Sequence, residues 1–179
     1  MLRWMLFRAL DRFERTWSYD AGYLRQVAAV SPGSFVRFSL LAGIVPRTAP
    51  AEALAAATLA ATLAEDCGPC VQIAADQARA AGVPPSALRA ILAGDRGAMP
   101  PDAALAYAFA CATLARDLEA ADALRDQVRQ RWGERGLVAL GLAITAARLY
   151  PTLKYALGHG AACRRIAVGE GEPLVVVPR

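Results

Sequence analysis

Apolar positions in this chain recur with the 3.6-residue period of helices almost throughout. Leu2, Leu6, Ala9, Leu10, Phe13 and Trp17 fall on one side of a first amphipathic helix, interrupted elsewhere by Arg3, Arg8, Asp11 and Arg12. Ser31 to Ser34 (SPGS) marks a turn ahead of the apolar stretch Phe35 to Val45, and Pro46 to Pro50 (PRTAP) a second break. A helix is predicted from about Ala51 to Leu63, with Thr48 or the residues just after it as cap. Asp66 is the expected N-cap of the next helix, which runs to about Ala81 and stops at Gly82. Pro84 and Pro85 open a short helix with Ser86 as cap and Gly94 as stop, and Asp102 caps another reaching about Arg116. Leu124, Val128 and Trp132 mark a helix ending at Gly133. Leu137 to Tyr150 is apolar nearly all round, which predicts burial inside the domain or at a subunit contact. Pro151 should kink or break that helix before two more turns to Leu157. Only Leu174 to Val177 has strand character, and a lone tail strand makes no sheet. The fold class is all-α.

Composition sharpens this picture. The 179 residues suit one domain with a sizeable core. Alanine dominates, and it enters helices without losing side-chain entropy. The net charge of +4 comes from scattered arginines. No aromatic ladder accompanies Arg129 and Arg131, so no nucleic-acid partner is expected. The charged residues near the start argue against a secretory leader, and Arg148 ends the apolar run begun at Gly136, so no membrane span is expected. The default setting is cytoplasmic and reducing. Four cysteines in a chain this long do not make a small secreted disulfide framework.

Candidate chemistry concentrates in Leu63 to Ala78, LAEDCGPCVQIAADQA. Cys67 and Cys70 stand three apart at a predicted helix start. Unpaired N–H groups and the helix dipole there favour a thiolate, and thiols at this spacing can close a disulfide ring with little backbone motion. Pro69 is tolerated in a first helical turn, and Gly68 permits close backbone approach. Three readings stay open: a working dithiol, half of a zinc site completed by His159 and Cys163, or two inert small hydrophobes. Cys111 belongs to the core. Glu65 and Asp66 are the nearest carboxylates, able to shuttle a proton if burial raises their pKa. His159, the only histidine, could supply an imidazole if its loop folds back toward the cysteine helix. Tyr107, Trp132, Tyr150 and Tyr155 are expected in the core, and Arg148 and Lys154 as solvated or ion-paired surface charges.

The order of elements carries a family likeness. A helix, a C-x-x-C opening a second helix, then AGVPPSALRAILAGD, PPDAALAYAFACATLARD and WGERGLVALGLAITAARLYPTLKYALG together resemble the carboxymuconolactone decarboxylase/alkylhydroperoxidase D-like superfamily. The likeness spans about Pro50 to Gly158. It implies an alkylhydroperoxidase D-like helical bundle over 46–165, preceded by a helical extension over 1–45 packed on the core or a neighbouring subunit, and followed by a tail over 166–179. It also implies a trimer or hexamer, no bound cofactor, a hydroperoxide substrate and an external thiol or dithiol reductant. By that likeness Cys70 is the attacking thiolate and Cys67 resolves it; Glu65 and His159 are the further site candidates, read from the residues themselves. The family's histidine four residues after the second cysteine falls on Ala74, and its glutamate ahead of the first falls on Ala55. The family's proton relay is therefore absent as written, and a non-catalytic helical module is the competing expectation. Lactone decarboxylation is disfavoured, since that branch does not depend on a C-x-x-C.

Overall fold

A computed structural model of the chain describes residues 1–160, 165–169 and 173–175. Helices account for nearly all of its regular structure, as the apolar periodicity predicts: α1 (Leu2–Trp17), α2 (Gly22–Val30), α3 (Pro32–Leu40), α4 (Ala51–Ala64), α5 (Gly68–Ala80), α6 (Pro85–Ala93), α7 (Pro101–Ala115) and α8 (Leu118–Ala156). The tail departs from expectation. Leu174–Val175 (β2) finds a partner in Arg165–Ile166 (β1), forming a two-residue antiparallel ribbon. That ribbon is anchored by Ile166, which is fully buried in the main core.

The core is built on α4 and α7, which pack on each other and on α8. Both are alanine-rich and buried on several sides, from Ala53 to Leu63 on α4 and from Ala103 to Ala112 on α7. Short side chains let helix backbones approach closely, and alanine adds no rotamer cost. Leu59 is completely enclosed on α4, and a buried leucine stabilises by about 1.5–3 kcal/mol. The one buried hydroxyl on that helix, Thr62, is satisfied by donating to Thr58 O at 2.7 Å.

Proline, rather than a polar cap, starts three of these helices. Ser86 and Asp102 were expected as caps, but the N-cap positions are Pro84 and Pro100, with no side-chain cap bond. A proline holds its predecessor extended and brings no N–H that needs a partner, so each helix begins two residues earlier than the expected polar cap would set it. Asp102 lies in the first turn of α7 and pairs with Arg131 instead. Thr48 likewise caps nothing and donates to Arg135 O at 2.8 Å. Gly82 and Gly94 end their helices as expected, at φ 91° and 66°.

The helix α8 breaks at Gly133 (φ 67°, ψ −174°), a backbone region essentially reserved for glycine. Pro151 lies inside its second part without ending it, since the helix continues to Ala156. The apolar run after Gly133 is not enclosed all round. Gly136, Ala139, Leu140, Ala143 and Ile144 are buried, whereas Val138 is 54% exposed. Among the described residues α8 alone is long and apolar enough to cross a membrane by length and composition. A third of its most apolar window (33%) is buried within the chain.

The first 40 residues form three helices, and the SPGS stretch expected as a turn opens the third of them. Ser18 turns the chain in a left-handed conformation (φ 48°), and Ser31-Pro32 ends α2 and starts α3. Arg25 of α2 bridges Asp11 and Glu14 of α1. A second apolar cluster gathers Leu10, Tyr19, Tyr23, Leu24 and Phe35 against Ile73 of α5, Tyr150 and Leu153 of α8 and Leu157 just after it. Phe38 meets Tyr150 edge-to-face, with ring centroids 5.0 Å apart. This segment therefore packs on α5 and α8 of its own chain, beside the cysteine motif.

Candidate functional site at the cysteine pair

The α4–α5 turn presents the two cysteines. Glu65 ends α4, Asp66 takes a left-handed backbone (φ 48°), and Cys67, not Asp66, is the N-cap of α5. Asp66 thus caps nothing. Its φ takes it out of the extended conformation an N-cap residue adopts, and aspartate tolerates the left-handed region better than most residues. The turn is held from outside by α8. Tyr155 Oη donates to Asp66 O at 2.6 Å, and Arg148 Nε pairs with Glu65 Oε1 at 2.5 Å. Tyr155, expected in the core, is half-exposed and works as this clamp. Arg148 is the ion-paired surface charge expected of it.

Cys67 and Cys70 are joined as a disulfide, their Cα atoms 5.2 Å apart. Cys67 is fully buried and Cys70 retains 5% exposure. Cys111 is a reduced, half-buried thiol. Cys163 lies outside the described residues, so the zinc set built on it does too. Among the described residues no three His, Cys, Asp or Glu side chains converge as a metal site.

A residue not picked out in the sequence reaches Cys70. Tyr19 Oη, from the α1–α2 turn, lies 4.0 Å from Cys70 Sγ. Tyr19 Oη also donates to Tyr23 Oη at 3.4 Å, making a short chain of hydroxyls that leads away from the sulfur. Lys154 of α8 caps both rings, its Nζ 4.9 Å from the Tyr19 centroid and 5.6 Å from that of Tyr23. Lys154 is only 3% exposed, which corrects the expectation of a surface charge. The aromatic faces turned toward it by α2 and its preceding turn hold the ammonium where water does not reach. Burial lowers the Lys154 pKa from the ordinary lysine value, and Asp20 opposes that shift. Burial also raises the pKa of Tyr19, partly offset by its hydrogen bond with Tyr23, and raises that of Tyr23 far more strongly.

The other predicted site residues sit at the edge of this cluster. His159 Nε2 is 2.9 Å from Gln26 Oε1, and its ring centroid lies 6.5 Å from that of Tyr23. Its loop does fold back, toward α2, so that the imidazole meets Tyr23 and not the cysteine helix directly. Glu65 is engaged by Arg148. Ala74, at the place of the family's histidine, is buried and carries no titratable group. Tyr19 and Tyr23 were missed because they belong to the stretch outside the family likeness. Their i, i+4 spacing across Asp20-Ala21-Gly22 was the available signal, and it gives no hint of what they face.

No protein-family model, curated protein or solved structure matches the chain.

Proposed function

We propose that the Cys67/Cys70 pair is a redox centre that reduces hydroperoxides and is regenerated by an external thiol or dithiol. The observation that carries this reading is the bonded pair at the N-terminus of α5, with the Tyr19 phenol beside Cys70 and a buried lysine over that phenol's ring. Cys70 thiolate attacks a peroxide oxygen; the O–O bond breaks, the alcohol leaves with a proton, and Cys70 becomes a sulfenic acid. Cys67 thiol condenses with it, forming the S–S bond and releasing water. Two external thiol groups then restore the dithiol and leave as a disulfide. The residual exposure of Cys70, against none for Cys67, favours Cys70 as the sulfur that meets substrate. Glu65 and His159 are the titratable groups at the rim available for proton traffic with solvent. A cytoplasmic setting suits regeneration of the dithiol. An alkylhydroperoxidase D-like assembly into trimers or hexamers agrees with the apolar surface left open on α8.

The test is hydroperoxide consumption by reduced protein supplied with dithiothreitol. Wild type is expected to consume an organic hydroperoxide well above a Cys70→Ser variant; equal rates would end the peroxidase reading. The competing reading, a helical module with inert cysteines, draws on the burial of both sulfurs and on Ala74. Thiol titration separates the two. A redox pair loses two thiols together on mild peroxide treatment and recovers both with dithiothreitol, whereas inert cysteines stay slow and unpaired.

A further inference from the structure

The likeness that points to Cys70 supplies no proton donor for it, because Ala74 and Ala55 stand where the family has a histidine and a glutamate. The fold brings a hydroxyl to the sulfur from elsewhere. Tyr19 is carried by the segment ahead of the likeness, and four features fix its position. Glu14 Oε1 accepts from Ala21 N at 3.0 Å, tying the turn to the end of α1. Phe13 packs edge-to-face on the Tyr19 ring, with centroids 5.9 Å apart. Tyr23 hydrogen-bonds the Tyr19 hydroxyl, and Lys154 covers the ring face. Such a phenol is preorganised, with its hydroxyl between Tyr23 Oη and Cys70 Sγ.

We propose that Tyr19 is a catalytic residue of this centre, the hydrogen-bond donor that holds Cys70 as its thiolate, with Tyr23 as the positioning residue behind it. The proposal rests on the redox reading of the pair. When an external dithiol reduces the disulfide, the S–S bond breaks, the dithiol gives up two electrons and two protons and leaves as its own disulfide, and each cysteine sulfur gains one electron. Of the dithiol's two protons, one goes to Cys67 and the other to solvent, leaving Cys70 negative. Tyr19 O–H then turns from Tyr23 to the new anion, and Tyr23 O–H donates to Tyr19 in its place. Reversal of two hydroxyl rotors with a small closing movement toward the sulfur is the rearrangement needed, since the oxygens lie 3.4 Å apart and the sulfur 4.0 Å away. A hydrogen bond donated to an ionised sulfur is worth more than one to a neutral acceptor. The Lys154 charge over both rings favours the same anion.

The groups set around Cys70 are few. Cys67 is its redox partner. Tyr19 comes from the α1–α2 turn, with Tyr23 of α2, Lys154 of α8 and Asp20 behind it. Glu65, paired with Arg148, and Asp66 stand at the α4 end. On the far side of α5, Arg89 of α6 donates to Val168 O and Gln72 bonds Ala167 beside β1.

The experiment uses the full chain, reduced with dithiothreitol and freed of it. Alkylation of Cys70 by iodoacetamide is followed by peptide mass spectrometry across a pH series, so that Cys111 and Cys163 do not contribute. In a Tyr19→Phe variant, alkylation of Cys70 at pH 7 should slow by roughly tenfold to a hundredfold. The two proteins should converge near pH 10, where the thiol ionises without help. A purely structural role would give the opposite sign, since loosening the cover over a buried sulfur speeds alkylation at every pH; an equal or faster rate at pH 7 overturns the proposal. If Tyr19→Phe does not fold, a difluorinated tyrosine at position 19 keeps the shape and makes the phenol a stronger donor. The apparent pKa of Cys70 should then fall, and an unchanged value overturns the proposal. Peroxide turnover is measured separately. A Tyr19-dependent alkylation profile without peroxide consumption leaves the donor role standing and removes only the peroxidase.

Discussion

Replacing Lys154 with methionine sets two opposing effects against each other. Lys154 is 3% exposed, and its ammonium faces two aromatic rings at 4.9 and 5.6 Å. A desolvated cation–ring contact is worth about 2 kcal/mol, so the two together stabilise by up to about 4 kcal/mol. Removing an ammonium from water costs several kcal/mol even after relaxation. Methionine keeps the length and the apolar contact and ends the penalty. Lys154→Met should therefore alter stability by no more than about 1 kcal/mol at pH 7, with pH dependence carrying the sharper signal. Burial lowers the lysine's folded pKa below its unfolded value, so between the two the unfolded chain binds more protons and stability rises with pH. The penalty on wild type is complete below the folded pKa and is relieved as pH climbs toward the ordinary lysine range. Wild type should gain on Lys154→Met between pH 7 and about 9.5, a ceiling kept below ordinary tyrosine ionisation. Urea melts of the disulfide form of both proteins across that window read the difference directly. A loss of 3 kcal/mol or more at pH 7, far above the expected ~1 kcal/mol, would refute the balance. So would a difference between the two proteins that does not move with pH.

Two further substitutions probe the frame around the site. Tyr155→Phe removes the donor to Asp66 O and should cost about 1 kcal/mol in a urea melt, with faster alkylation of reduced Cys67 as the turn loosens; unchanged values would show the clamp to be idle. Gly133→Ala forces a Cβ into the backbone region found at the break in α8 and should cost about 1–3 kcal/mol, whereas a neutral result would mean that the two parts of α8 can join as a straight helix.

The helices were legible because their cause is local. Apolar spacing places α4 through α8 within a few residues, and Gly82, Gly94 and Gly133 mark turns that need a positive φ. Helix starts were less legible, since proline and polar caps compete for the same few positions and proline prevailed at Pro85 and Pro101. The cysteine pair was visible as chemistry, from two sulfurs at a helix start. Its surroundings were not, because Tyr19 stands 51 residues before Cys70 and Lys154 far behind it in the chain. No periodicity reports which face of the α1–α2 turn will meet α5. Lys154 shows the limit most clearly. In sequence it is one more base on an amphipathic helix, and only the tyrosine rings brought over it make its burial tolerable.

About two turns of α8 contain Arg148, Lys154 and Tyr155, and these grip both the loop that offers the sulfurs and the aromatic cover above them. Mechanically this is a single handle. A twist or fraying of that terminal stretch would slacken the Glu65 and Asp66 tethers at the same moment as it withdrew the charge from Tyr19 and Tyr23. Opening the cysteine pair and switching off its favourable surroundings are thereby one motion, with the chain just beyond Ala156 as the natural place to pull.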